Sequence, residues 1–285
     1  MARKDYRLIY ENELGQSIEF SIWSPFFLDN YEGLDGLNNL IYSSKGLNQD
    51  GETYLSSSLD KRNIVIEGKI TCNAQLNKPR MISILNPKLS GKLTVIDGEA
   101  KKHISCRVEK APSLSIDPTP RFVLSLLSLN PFFYDEEFKV DVALWKGDLS
   151  FPIEFSETGF VFGHREQSLI VNVINPSDMK CPMRIEFRAL GELENPSILN
   201  VNTGEFFKLN KMMVSGEIIS VITTPGGKRV TQSLNGIEAN AFNFIDEDSD
   251  FLQLEVGDNL FRYDADTNLD NLEVAIYFTP QYLGI

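Results

Sequence analysis

Short apolar segments broken by turn residues constrain this chain more than any other feature. Beyond residue 135 they recur at roughly ten-residue spacing. They are Val140 to Leu144, Leu169 to Ile174, Arg184 to Arg188, Ile198 to Val201, Phe206 to Leu209, Ile218 to Ile222, Phe251 to Glu255 and Val274 to Phe278. None is long enough for a helix, and together they predict a β-sandwich. The linkers agree. Asn202-Thr203-Gly204-Glu205 joins two of the segments, and Thr224-Pro225-Gly226-Gly227-Lys228 joins Ile218 to Ile222 with Arg229 to Gln232, so hairpins are expected at both places.

The first half is also strand-rich. Tyr6 to Tyr10 and Ile18 to Ile22 flank the turn residues Asn12-Glu13-Leu14-Gly15, which predicts an N-terminal hairpin. In Asn63 to Ile70, Ile64, Ile66 and Ile70 share one face while Glu67 and Lys69 share the other, as in a half-buried strand. Leu93 to Ile96, Ile104 to Val108 and Phe122 to Leu127 complete the pattern. Between Pro79 and Leu85 a short helix is expected, with Pro79 at its first position and Asn86-Pro87 ending it. From Pro25 to Ser58 periodicity disappears, and Gly33, Gly36, Gly46 and Gly51 alternate with Asn, Asp and Ser, so a long irregular arm with some extended pieces is expected. Loops of that length in a compact domain are usually functional.

At Asn130-Pro131 the backbone is biased to extended geometry and loses a donor, which should end the preceding strand. Phe132, Phe133 and Tyr134 follow as an aromatic cluster, so residues 130–134 are read as a domain junction, the other reading being an ordinary strand end with aromatic core contacts. The chain of 285 residues divides there into domains 1–135 and 136–285, with room for the final strand, about 272–285, to return and pack on the first.

Composition excludes several functions. A net charge of −13, from 40 acidic and 27 basic residues, opposes stable nucleic-acid binding. The longest apolar run, Phe122 to Leu129, is too short to span a bilayer, and no apolar segment follows Met1-Ala2-Arg3-Lys4-Asp5. Cys72, Cys106 and Cys181 are widely spaced, as expected for reduced thiols of a protein made in a cytosol. His103 and His164 lie far apart without a metal-ligand pattern. Asp246-Glu247-Asp248-Ser249-Asp250 and Asp264-Ala265-Asp266-Thr267-Asn268 alternate oxygen ligands, but Phe251 and Leu269 stand where a calcium loop needs glycine. No metal, cofactor or catalytic site is assigned.

The order of several motifs resembles the distal tail proteins of long, non-contractile-tailed bacteriophages. In the first half these are Gly33-Leu34-Asp35-Gly36, Gly51, Arg62-Asn63-Ile64-Val65-Ile66-Glu67-Gly68, Leu85-Asn86-Pro87 and Asn130-Pro131-Phe132-Phe133. In the second they are Asn202-Thr203-Gly204-Glu205, Asp248 to Leu254, Gly257-Asp258-Asn259 and Tyr277 to Tyr282. The resemblance implies a mainly β protein: an N-terminal β-rich domain with one short helix that forms a hexameric ring, and a C-terminal β-sandwich similar to galectins or carbohydrate-binding modules. It implies a structural virion protein rather than an enzyme, located at the tail tip. Its partners would be its own copies, the tail tube protein, a tail tip or tail-associated protein and a receptor-binding protein. The Gly33 to Gly51 arm would reach the adjacent subunit. Two other readings stay open: carbohydrate binding by the second domain, and cleavage of cell-wall polymer by two carboxylates brought together in the fold.

Overall fold

The computed structural model describes residues 6–143, 145–147, 163–165 and 170–285. The N-terminal residues 1–5 lie outside them, as do Leu144 and Leu169 at the ends of two expected strands. The chain divides into two compact units, one of Met1–Asp135 with Gln281–Ile285 and one of Glu136–Pro280.

The first unit runs β1 (Arg7–Asn12), β2 (Ser17–Ser21), β3 (Phe26–Glu32), β4 (Asn39–Ser44), β5 (Thr53–Leu59) and β6 (Arg62–Ile70). After these come α1 (Ala74–Ile84), β7 (Ser90–Asp97), β8 (Ala100–Leu114), β9 (Arg121–Ser128) and β10 (Phe133–Tyr134). Seven strands follow one another in the order β8, β7, β1, β2, β3, β6 and β9, and β9 pairs back onto β8, so the sheet closes into a barrel. Closure removes the free edges an open sheet would present. The strand β8 serves both sides because its register shifts at Val108/Lys110 and Lys110/Ser113, where bulges bend it. Alternate residues point inward, and Tyr10, Phe20, Ile64, Ile66, Val95 and Leu124 are fully buried in one core.

Local hydrogen bonds explain the corners. Asn12 is buried; its Oδ1 accepts from Leu14 N and Gln16 N at 3.1 Å each, and its Nδ2 donates to the Ile84 carbonyl at 3.1 Å. One side chain therefore shapes the first hairpin turn and holds the end of α1. The parallel pairing of β2 and β3 is short, Phe20 with Phe26 and Ser21 with Phe27. Parallel strands ordinarily need about a dozen linking residues. Here residues 22–25 loop back to start β3 beside the end of β2 in the same direction, with Ser21 Oγ accepting from Trp23 N and Ser24 N, and Ser24 Oγ from Phe26 N.

The helix differs from expectation. It starts at Ala74, and Pro79 lies inside it rather than at its first position. Pro79 forgoes the donation to the Gln75 carbonyl that a helix interior makes. What moves the start upstream is Asn73, which adopts a left-handed conformation and accepts from Leu76 N and Asn77 N. Asn77 then folds back, donating to the Cys72 carbonyl at 2.8 Å. Met81, Ile84 and Leu85 enter the barrel core.

The two larger sheets of the second unit are antiparallel. One follows the order Phe138–Ala143, Leu272–Phe278, Cys181–Ala189, Ile218–Ile222, Arg229–Leu234 and Ile237–Asn240. The other runs Ile170–Asn175, Gly257–Asp264, Ser197–Asn200 and Phe206–Lys208. Ile185, Phe187 and Ile276 of the first join Val173, Phe207 and Phe261 of the second in one buried cluster, and the Phe187 and Phe207 rings lie 6.4 Å apart. This is a sandwich packed through its two inner faces. The protein is mainly β.

No strand is expected over Gly257–Asp264 from the sequence, yet it pairs on both sides within the smaller sheet. Asn259 stands at an inward position and hides the alternation. It is satisfied there: Nδ2 donates to the carbonyls of Glu255 and Gly257, and Oδ1 accepts from Glu255 N at 2.9 Å.

Candidate functional site

The glycine-bearing segment of the first unit is an ordered hairpin, which corrects the irregular arm expected from the sequence. Its root is Gly33, with φ of +82° and so close to β6 that a β-carbon would lie 2.0 Å from the Asn63 carbonyl oxygen. Leu34 follows as a buried anchor. After Gly36, β4 and β5 pair antiparallel from Asn39 with Leu59 to Ser44 with Thr53, and Gly46 and Gly51 lie in the connection between them. Among the described residues the two strands join no other sheet. Every residue of β4 and β5 is exposed except the half-buried Leu59.

Pairing sorts the side chains onto two faces. Leu40 and Tyr42 share one with Ser56 and Ser58, and Ile41 shares the other with Ser57 and Tyr54. Ile41, Tyr54 and Leu55 are each more than 60% exposed. A single chain therefore leaves large apolar residues on both faces of a two-stranded ribbon. Periodicity vanished from this stretch because neither face is buried, and alternation marks burial on one side only.

Arg62, the first residue of β6, lies where the hairpin returns to the barrel, and only 2% of it is exposed. Its Nη1 donates to the carbonyls of Gly33 at 2.7 Å and Leu34 at 3.0 Å, its Nε to Pro131 at 2.8 Å, and its Nη2 to Leu283. The guanidinium carbon stands 4.8 Å from the centre of the Phe133 ring. Burial lowers the Arg62 pKa and the charge of Asp35 opposes the shift. The arm residues and the 130–134 junction residues, chosen from separate stretches, thus meet at one side chain. In the sequence Arg62 stands only as the first residue of a strand motif, and nothing beside it marks this role, because its acceptors are backbone carbonyls.

Within the junction, Asn130 Nδ2 donates to Tyr134 Oη at 2.7 Å and Asn130 Oδ1 accepts from Phe132 N at 3.3 Å. Phe133 is fully buried in the first unit's own core, and Tyr134 pairs with His103 of β8. On the other side of Phe133 and Tyr134 runs Gln281–Tyr282. Leu272–Phe278 belongs to the second unit, so the return to the first is confined to residues 281–285.

The two calcium-like runs converge on a lysine. Lys208 Nζ donates to Asp266 at 3.0 Å and 3.1 Å, and its backbone carbonyl accepts from Asp246 N at 3.0 Å. Asp246 is held below the ordinary carboxylate pKa by the Asn210 amide and the Asp248 N–H, and Asp266 by Asn195 and Lys208. Among the described residues no three potential metal ligands cluster. The side chains of His164 and Trp145 lie outside the described residues.

Two family models divide the chain between them. The phage tail protein RIFT-related domain matches residues 13–130, and the siphovirus-type tail component, C-terminal domain, matches residues 177–282. Among solved structures, the chain is similar to the phage SPP1 Dit (gp 19.1) protein, described as a paradigm of hub adsorption apparatus in Gram-positive infecting phages. The TM-score is 0.70 at 14% identity, over 97% of this chain and 99% of that one. It is also similar to a chain of the phage p2 baseplate in its activated conformation with Sr, with a TM-score of 0.50 at 11% identity over 99% of both chains. No curated protein sequence matches significantly. With residues 13–130 and 177–282 matched by two tail-protein models, the chain belongs to the distal tail protein family of siphophages, whose members are structural components of the tail hub.

Proposed function

We propose that this hub protein works as a ring subunit, six copies closing head to tail, and that the β4–β5 hairpin docks on the neighbouring subunit. The observation that carries this reading is the hairpin itself, which exposes Leu40, Ile41, Tyr42, Tyr54 and Leu55 on a ribbon with no sheet partner among the described residues. Two-stranded ribbons are marginal alone and gain stability when a face or an edge is covered. A closed ring would cover all copies alike. Such a ring would join the tail tube protein above to a tail tip or tail-associated protein below, in a virion whose parts are made in the host cytoplasm. The second unit's sandwich suits a galectin-like module that holds a receptor-binding protein. Exposed Glu32, Asp35 and Glu52 in a subunit of net charge −13 fit a channel that repels passing DNA. Sugar binding and cell-wall hydrolysis find no support in the comparisons.

The test shortens the hairpin. The Asp60 N–H donates to the Asn38 carbonyl at 3.0 Å, so its base is already closed and Leu40 to Ser58 can be replaced by a short Gly-Ser link. Co-expressed with the other tail proteins, the parent chain should appear as rings in electron micrographs, and the shortened chain as a folded monomer with unchanged strand content by circular dichroism. Normal rings from the shortened chain would refute the reading.

A further inference from the structure

We propose that Arg62 couples three segments of the first unit, the arm root at Gly33–Leu34, the junction at Pro131–Phe133 and the C-terminal residues 281–285, so that they order and loosen together. The segments are remote in sequence, the Arg62 hydrogen bonds spanning 29, 69 and 221 positions. Each is held through backbone carbonyls, and the acceptors include no carboxylate. That choice of acceptor matters. A carboxylate could follow the guanidinium as a mobile ion pair, whereas a carbonyl belongs to its segment and leaves with it. Departure of one segment strands both its carbonyl and a buried, charged N–H, which costs more than the bond itself contributes. The other two segments then face an under-satisfied cation, and water entering to serve it weakens their bonds as well.

A second contact ties the same parts together without Arg62. A β-carbon on Gly284 would lie 3.6 Å from the Leu34 carbonyl oxygen and 3.8 Å from Asp35 Cα, so the C-terminal segment packs directly on the arm root. On its other side, Lys102 Nζ lies 3.6 Å from the centre of the Tyr282 ring and donates to the Gly284 carbonyl at 3.3 Å. The segment is therefore clamped between β8 and the root. Among the described residues the hairpin has no further sheet partner, so its direction is set where it leaves at Gly33–Leu34 and where it returns at Asp60–Arg62. The chain passes to the second unit after Asp135 and returns before Gln281, each within a few residues of the Arg62 cluster. The coupling is a property of the single chain and does not depend on where the arm docks.

Hydrogen–deuterium exchange of the full chain, read by mass spectrometry, tests it with two variants. Arg62→Lys keeps the charge but cannot reach all three segments at once. It should speed exchange by about tenfold or more at residues 34–36, 132–134 and 281–284 together, with β7 unchanged. Tyr282→Ala disturbs only the C-terminal segment directly, and coupling requires faster exchange at 34–36 as well. Loosening confined to 281–285 in Tyr282→Ala, or to one of the three segments in Arg62→Lys, would overturn the proposal. Tyr282→Ala decides the question even if Arg62→Lys does not fold.

Discussion

Gly33 and Asn63 approach so closely that a β-carbon on Gly33 would sit 2.0 Å from the Asn63 carbonyl oxygen, and φ at Gly33 is +82°. Gly36, three residues on, has φ of +60° with nothing within 4 Å of the same position. Alanine at Gly36 therefore meets only the left-handed backbone cost, about 1 kcal/mol. Alanine at Gly33 meets that cost and a backbone collision that β6 must move to relieve, about 3 kcal/mol in all. Urea denaturation followed by tryptophan fluorescence should rank Gly33→Ala well below Gly36→Ala. Equal losses would show that β6 yields freely.

The buried thiols should be inert. Burial raises the pKa of Cys106 to about 12 and of Cys181 to about 12, and both are almost fully covered, while Cys72 is exposed. The thiolate is the reactive species. A chromogenic disulfide reagent at pH 8 should titrate one thiol in the native protein and three after unfolding. Rapid reaction of two or more in the native state would contradict the packing.

Asp266 offers a pH signature. Its pKa is lowered from 3.8, first by the Asn195 amide and then by Lys208. A depressed folded value means that the contact stabilises the protein above about pH 4 and that this stabilisation is lost as pH falls through the folded pKa. Asn195→Ala and Lys208→Met should each raise the Asp266 midpoint toward its ordinary value in carboxyl carbon NMR titrations. The exposed position keeps the associated stability small. An unmoved midpoint in both variants would remove the assigned cause.

Phe207 is fully buried, and its ring lies 6.4 Å from that of Phe187 on the facing sheet. Phe207→Ala should lower the stability of the second unit by about 3–5 kcal/mol, because the sheets cannot close over the cavity. Chemical denaturation followed by phenylalanine-edited NMR of that unit measures it. A loss under about 1 kcal/mol would mean that the core repacks.

The sequence by itself determined that this is a mainly β protein with one short helix, and which residues line much of its core. Burial on one face writes a period of two into the chain, as in Ile64, Ile66 and Ile70, and turn chemistry such as Asn202-Thr203-Gly204-Glu205 marks where strands reverse. Motif order carried the family. Only the tertiary structure decided the closure of β9 onto β8, since which strands meet at long range leaves no local mark. It also decided the β4–β5 hairpin, whose two exposed faces leave no period, and Gly257–Asp264, where a fully satisfied Asn259 replaces an apolar residue. The Arg62 cluster was illegible for a simpler reason. Its acceptors are backbone carbonyls, which every residue carries, so no side chain in the sequence announces the site that the fold assembles around it.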